Sequence, residues 1–254
     1  MFPNRFSPWF VLVLALLLGA SACDCGDDDD DDDDNDQADD DADDDTADDD
    51  TTDDDVVTYD YFEDFEAYPV GAPPGGGWDS SSLLYGATAL VESLDKAAAG
   101  HVLELSDPTP AGNGSVIAPI PANLLQNAFR LDWDWRWVSG EGLHLGLFTA
   151  DELYPMTGGV GLNGGNLEAL SRVGDSGSWV ICLYHVAYGD WHKLTALVDV
   201  AAGTYSVLID GEETNCTDLS LMAPEATIED VRLVMYNDGF GILQTDNLGL
   251  APLE

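Results

Sequence analysis

From residue 57 onward, apolar side chains recur at every second position in short runs, broken by Gly, Pro, Asn and Asp. Phe129, Leu131, Trp133, Trp135 and Trp137 share one parity, and Arg130, Asp132, Asp134 and Arg136 take the other. A period of two marks a half-buried strand, because successive side chains point to opposite faces. The same reading predicts strands over 57–62, 84–91, 101–106, 129–138, 143–149, 160–162, 167–173, 179–184, 193–200, 204–210, 230–236 and 242–250. No run of helical period exceeds two turns, and the best, 122–128, is short and follows Pro121. Many short strands with turn signals between them predict an all-β sandwich or barrel.

Two hairpins are specified closely. Leu194, Ala196, Val198 and Val200 share a face, and after Ala201-Ala202-Gly203 the set continues as Tyr205, Val207 and Ile209. Gly203 suits the left-handed position of a short hairpin loop. The second predicted hairpin joins the tryptophan strand to 143–149, whose apolar set is Leu143, Leu145 and Leu147. Placing both apolar sets on the core fixes register parity. Trp137 is then opposite Leu143 across a Ser139-Gly140-Glu141 loop, Arg136 faces His144, Asp134 faces Gly146 and Asp132 faces Phe148. Arg130, Asp132, Asp134, Arg136 and His144 thereby form a charged group on the non-core face, the candidate ligand-binding residues.

The first 55 residues follow another pattern. Residues 9–18 are an unbroken apolar run behind Arg5, short for a membrane span and suited to a secretory core region. Gly19-Ala20-Ser21-Ala22 and Cys23 follow, so residues 1–22 read as a signal peptide. Small residues followed at once by Cys resemble a bacterial lipobox, in which Cys23 becomes the diacylated first residue, although Ala20 stands where Leu is usual. Ala20-x-Ala22 also suits ordinary signal peptidase, which would leave a soluble secreted protein with Cys23 and Cys25 free or paired. The lipid anchor is the expectation carried forward, because a charged tether is useful when its start is held. Each buried CH₂ of an acyl chain contributes about 0.8 kcal/mol.

Charge separates the chain into two objects. It carries 50 acidic and 7 basic side chains, a net −43, and 22 of the acids are Asp within 24–55. Residues 23–55 hold an unbroken Asp run at 27–34 and then Asp triplets spaced by Ala, Thr, Asn and Gln. With almost nothing apolar to bury, this segment is expected to be a disordered, self-repelling linker. Residues 56–254 keep 28 acids against 6 bases, a net −22. That excludes nucleic acid as a partner, since such binding needs a basic surface, and argues against adhesion to anionic lipid head groups.

The opening Phe62-Glu63-Asp64-Phe65-Glu66-Ala67-Tyr68-Pro69-Val70-Gly71, with Gly77-Trp78 soon after, resembles the first strand of bacterial concanavalin A-like (laminin G-like) jelly rolls. Gly189-Asp190-Trp191-His192 leading into 193–199, the segment 203–211, and the closing Thr245-Asp246-Asn247-Leu248-Gly249-Leu250 resemble them too. The resemblance covers nearly all of 60–250. It implies a two-sheet antiparallel jelly-roll β-sandwich. Such domains serve as lectins, carbohydrate-binding modules, glycoside hydrolases, polysaccharide lyases or plain adhesive units, so the fold does not select among them. It also implies a candidate structural Ca²⁺ where the first and last strands meet, with Glu63, Asp64 and Asp246 as ligands.

The chemistry on this frame is sparse. The Glu-x-Asp-x-x-Glu motif of the superfamily's β-glucan-cleaving enzymes is absent. Asp132 and Asp134 imitate a carboxylate pair, but flanking Arg130 and Arg136 lower a carboxyl pKa rather than raise it, which is wrong for an acid catalyst. Gly174-Asp175-Ser176-Gly177 reads as a turn, not as a nucleophile segment. The four His are scattered without zinc-like spacing. Cys182 and Cys216 either pair, as secretion permits, or remain two thiols. Trp78, Tyr85, Tyr154, Tyr188, Trp191 and Tyr236 are the candidate exposed rings for stacking on sugars, whereas Trp133, Trp135 and Trp137 belong to the core. The reading is a lipid-anchored protein of a bacterial outer membrane or cell surface whose domain recognises carbohydrate without cleaving it. A polysaccharide hydrolase or lyase, and a structural or protein-adhesive domain, are the rivals.

Overall fold

The computed structural model describes residues 57–94, 100–109, 114–149, 156–224 and 227–253, without the side chains of 236–239. The signal peptide, Cys23, the acidic linker, Tyr154 and the Tyr236 side chain lie outside the described residues. Among the described residues the elements are β1 (Tyr61–Glu63), β2 (Thr88–Ser93), β3 (His101–Asp107), β4 (Gly114–Ile117), β5 (Phe129–Thr149), β6 (Met156–Asn163), β7 (Asn166–Val173), β8 (Ser176–Leu183), β9 (Trp191–Asp199), β10 (Thr204–Ile209), β11 (Glu212–Glu213), β12 (Leu219–Ser220) and β13 (Ile228–Pro252). The best helix candidate, 122–128, contains a 3-10 turn at Ala122–Leu125. The domain is an all-β antiparallel sandwich, one of the two architectures the alternation implied.

Two long strands organise it. β5 and β13 pair from Phe129 opposite Pro252 to Thr149 opposite Ile228. The first half of β5 and the second half of β13 sit in one layer, ordered β11-β10-β9-β5-β13-β3-β2, with β1 on β13. The remaining halves continue into a second layer, where β6, β7 and β8 follow outward from β5 and β4 pairs with β13. The layers close face to face: the Tyr205 hydroxyl on β10 donates 3.0 Å to the Gly159 carbonyl on β6 and also reaches the Leu170 carbonyl on β7.

The junction between the layers corrects the predicted second hairpin. Ser139-Gly140-Glu141 is a bend within one strand, not a loop between two. Gly140 and Gly142 have φ +83° and +80°, and on β13 Gly241 has φ +143° beside a register shift between Met235 and Phe240. A methyl group at Gly140 would strike the Phe240 carbonyl oxygen, and one at Gly241 the Ser139 carbonyl oxygen. The backbones pass too closely for any side chain, so both strands turn together. Trp137 is therefore opposite Leu243, and Leu143 opposite Leu162 and Met235. Arg136 faces Trp191 and Gln244 rather than His144; Asp134 faces Lys193 and Asp246 rather than Gly146; Asp132 faces Thr195 and Gly249 rather than Phe148.

The apolar parities hold even so. Leu131, Trp133, Trp135, Trp137, Leu143, Leu145 and Leu147 are buried in one core with Leu167, Leu194, Val198, Tyr205, Leu243 and Leu250. Each fully buried side chain of this size contributes about 1.5–3 kcal/mol. The β9–β10 hairpin forms as expected, with Leu194 opposite Ile209, Asp199 opposite Thr204, and Gly203 at φ +67°. Cys182 on β8 and Cys216 form a disulfide with Cα atoms 5.0 Å apart. The Cys216 carbonyl accepts from Val207 N on β10, so this bridge ties the outer edge of the second layer to the first.

Candidate functional site

The outer face of the first layer carries the even-numbered side chains of β5, and cross-strand pairing determines what meets them. A polar row crosses four strands. Gln244 on β13 donates Nε2 to Glu104 Oε2 on β3 at 2.8 Å, and its Oε1 accepts Arg136 Nε at 2.9 Å, with a second contact from Arg136 Nη2. The Arg136 guanidinium then lies over the Trp191 ring on β9, 5.2 Å from its centroid. Trp191 is thus held by a charge anchored through two further side chains.

One step along the strands, Asp134 lies between Lys193 and Asp246. Asn247 holds this pair in two ways: its backbone N–H donates to Asp246 Oδ1 and its amide to Asp134 Oδ2, each at 2.8 Å. It does so from a left-handed conformation, φ +49°, inside the bulge between Asp246 and Gly249. Asn tolerates that conformation better than most residues. Burial, together with the neighbouring charges of Asp134, Asp64 and Glu66, pushes the Asp246 carboxyl up to about 6, against the effect of the Asn247 N–H. Among the described residues, no basic side chain forms an ion pair with Asp134 or Asp246. An open cleft of about 400 Å³ sits here, lined by Leu94, Asp134, Trp191, His192, Lys193 and Asp246.

Of the five expected ligand-binding residues, Asp134 and Arg136 belong to this face and cleft. Arg130 and Asp132 form a separate group, with Asp132 buried and Arg130 partly exposed. Asp132 Oδ2 accepts Arg130 Nε and the Tyr59 hydroxyl, each at 2.7 Å, and Oδ1 accepts the Thr195 hydroxyl. Burial opposes ionisation of Asp132, but these bonds outweigh it and hold the carboxyl below its usual range. A residue so fully bonded is structural. His144 is on the second layer, because the bend at Gly140 carries it away. Its ring lies 4.8 Å from that of Trp179 and fills the space a side chain at Gly161 would need. Burial lowers its pKa to about 4. Arg232, which shares that layer, is paired to Asp230 and lies over Phe148.

The three residues expected to hold Ca²⁺ are divided by role. Glu63 turns inward, accepting Phe65 N at 3.0 Å, the Tyr68 hydroxyl at 2.8 Å and Trp78 Nε1 at 3.4 Å. Asp64 caps Glu66 N at 3.2 Å, and Asp246 joins Asp134. Among the described residues no group of three or more His, Cys, Asp or Glu is arranged to hold a metal ion. Of the candidate rings, Trp78 is buried, Tyr85 and Tyr188 are exposed, and Trp191 lines the cleft. Gln244, Glu104 and Lys193 were missed as site residues. Their strand parity was readable, but the strand order that makes them neighbours of Arg136 and Asp134 was not.

No family model matches the chain, and no curated protein resembles it in sequence. Solved structures do resemble it. A carbohydrate esterase from the Shiga toxin-encoding bacteriophage phi24B matches with a TM-score of 0.53 and 10% identity, over 78% of this chain and 100% of its own. The cellulose-induced protein Cip1 matches at 0.52 and 12%, over 76% and 97%. A sialidase matches at 0.52 and 16% identity over 78% of this chain, which spans only 19% of that protein. Likeness at these identities shows the sandwich fold.

Proposed function

We propose that the domain is a non-catalytic carbohydrate-recognition module, exported and held to a bacterial envelope through acylated Cys23 and the acidic linker. One observation carries the recognition reading: a cleft large enough for a sugar ring lies between a fixed tryptophan and a row of polar side chains. A pyranose has an apolar face and a polar rim. Trp191 would cover the first, and Asp134, Lys193 and Asp246 would exchange water for hydroxyls on the second. The carbohydrate esterase and the sialidase of like fold point in the same direction.

A glycan array with the folded protein, followed by calorimetry on the hits, tests this. Trp191→Ala is expected to weaken binding at least about tenfold, the order of one lost stacking interaction. No saturable glycan binding by the folded protein would move the domain to the structural or adhesive reading. Metabolic labelling with a tagged fatty acid tests the anchor: label on the wild type and none on Cys23→Ser is expected.

One observation favours hydrolysis as a second reading. Asp246 is pushed up to about 6 directly opposite Asp134. A carboxyl whose pKa is raised towards neutral, beside a second carboxyl, is what the general acid of glycoside hydrolysis requires. Release of reducing ends from an array hit, lost in Asp134→Asn, would replace the non-catalytic reading.

A further inference from the structure

Resting on the recognition reading of the Trp191 cleft, we propose that this cleft selects sugars bearing a protonated amine, the 2-amino sugars, over their N-acetylated and uronate counterparts. The argument is one of charge and shape together. The floor holds two carboxylates, Asp134 and Asp246, directly opposite each other on adjacent strands. Their polar partner is Asn247, a neutral residue that supplies two hydrogen bonds and no charge.

The cations nearby do not neutralise them. Arg136, two residues along β5, is committed to Gln244 and the Trp191 ring. Lys193 is exposed at the rim and in no ion pair among the described residues. His192, in the cleft wall, packs against Trp135 and is bonded to Asp210 at 2.8 Å. Further acids, Asp64 and Glu66, add to the negative charge felt by Asp246. The site is thus a concave surface of net negative charge, partly removed from water, with one aromatic wall.

Each feature excludes something. A uronate or sialate carboxylate would bring a third anion to the floor, and like charges in a half-desolvated cleft repel strongly. An N-acetyl group carries no charge and adds bulk. An ammonium on a ring carbon places a cation between two carboxylates while the apolar face of the ring covers Trp191. A linear polyamine or a lysine side chain offers the same ammonium without the ring, so the wall separates the two sources.

The test is calorimetry with the folded protein at a pH where the amine is protonated. The probes are glucosamine tetramer, N-acetylglucosamine tetramer, galacturonate tetramer and spermidine, each in low and high salt. The glucosamine oligomer is expected to bind at least about tenfold more tightly than its N-acetylated form, with no measurable uronate binding and a preference that shrinks with salt. Asp134→Asn and Asp246→Asn, which keep shape and remove charge, should each reduce that preference severalfold. Trp191→Ala should weaken both forms alike. Equal or tighter binding of the N-acetylated or uronate oligomer overturns the proposal. So does spermidine binding as tightly as the amino sugar, or an unchanged preference in both Asn variants. If a neutral oligosaccharide from the array binds and the amino sugar does not, the amine proposal fails and the recognition reading stands. If the folded protein binds no glycan, both fail.

Discussion

Replacing Asp246 by Asn should stabilise the protein at neutral pH and leave it unchanged in acid. Asp246 is half-buried and faces three other acids, and its carboxyl is raised from 3.8 to about 6. A pKa raised on folding means that the folded state prefers the protonated form. The stabilisation is therefore complete below about pH 4, where the unfolded chain is also protonated, and is lost as pH climbs through about 6. Two pH units correspond to an upper bound of about 3 kcal/mol. Solvent reaches this residue, so a discounted figure of about 1–2 kcal/mol is appropriate. Asp246→Asn cannot ionise, while its amide oxygen still accepts the Asn247 N–H. Urea unfolding of wild type and variant at each pH from 4 to 8 gives the difference. His144 acts in the opposite sense, because its lowered pKa costs stability as pH falls from about 6.5 towards 4. Only the difference between the two proteins isolates Asp246. A variant gain of about 1–2 kcal/mol at pH 8 that vanishes by pH 4 is the expected result. Superimposable profiles, or a gap of the same size at every pH, would refute the electrostatic account.

Cys182→Ser with Cys216→Ser opens a bridge spanning 34 positions and should lower urea stability by about 3–4 kcal/mol, with ligand binding retained under native conditions. Arg130→Ala leaves buried Asp132 without its cation and should cost about 2–3 kcal/mol; adding Asp132→Asn should recover part of that in a double-mutant cycle. Gly140→Ala meets both a positive φ and the Phe240 carbonyl, and should cost well over about 2 kcal/mol. Gly164→Ala, at φ +56° with open space around it, should cost only about 1 kcal/mol, and equal losses at the two glycines would count against the close crossing.

What the sequence revealed follows the reach of its signals. Strand parity is local, so the buried faces of β5, β9 and β10 were legible from spacing alone, down to the Gly203 turn. Pairing between distant strands is not local. Ser139-Gly140-Glu141 has the composition of a hairpin loop, and only Gly241, about a hundred residues later, turns it into a bend. That one ambiguity displaced His144 by a whole layer and hid Gln244 and Lys193 as neighbours of Arg136 and Asp134. Trp191 was recognisable as an aromatic candidate but not as the partner of Arg136. Glu63, Asp64 and Asp246 suggest a Ca²⁺ site when read as residues near the two ends of the domain. The donors that claim Glu63, Tyr68 and Trp78, are short-range, but nothing in a list of residues says which way a carboxylate turns.

The sharing of β5 and β13 between both layers sets a schedule for the chain during synthesis. β5 has its last residue at Thr149, yet its full-length partner ends at Pro252. At about 5–20 residues per second, roughly 5–20 s pass between them on a ribosome. Throughout that interval Trp133, Trp135 and Trp137 lack β13 on one side, even after β9 has been made on the other, and neither layer is complete, because each needs half of β13. The core tryptophans are therefore uncovered on their β13 side until that last strand is made, and a chaperone that shields apolar segments would protect them in that interval.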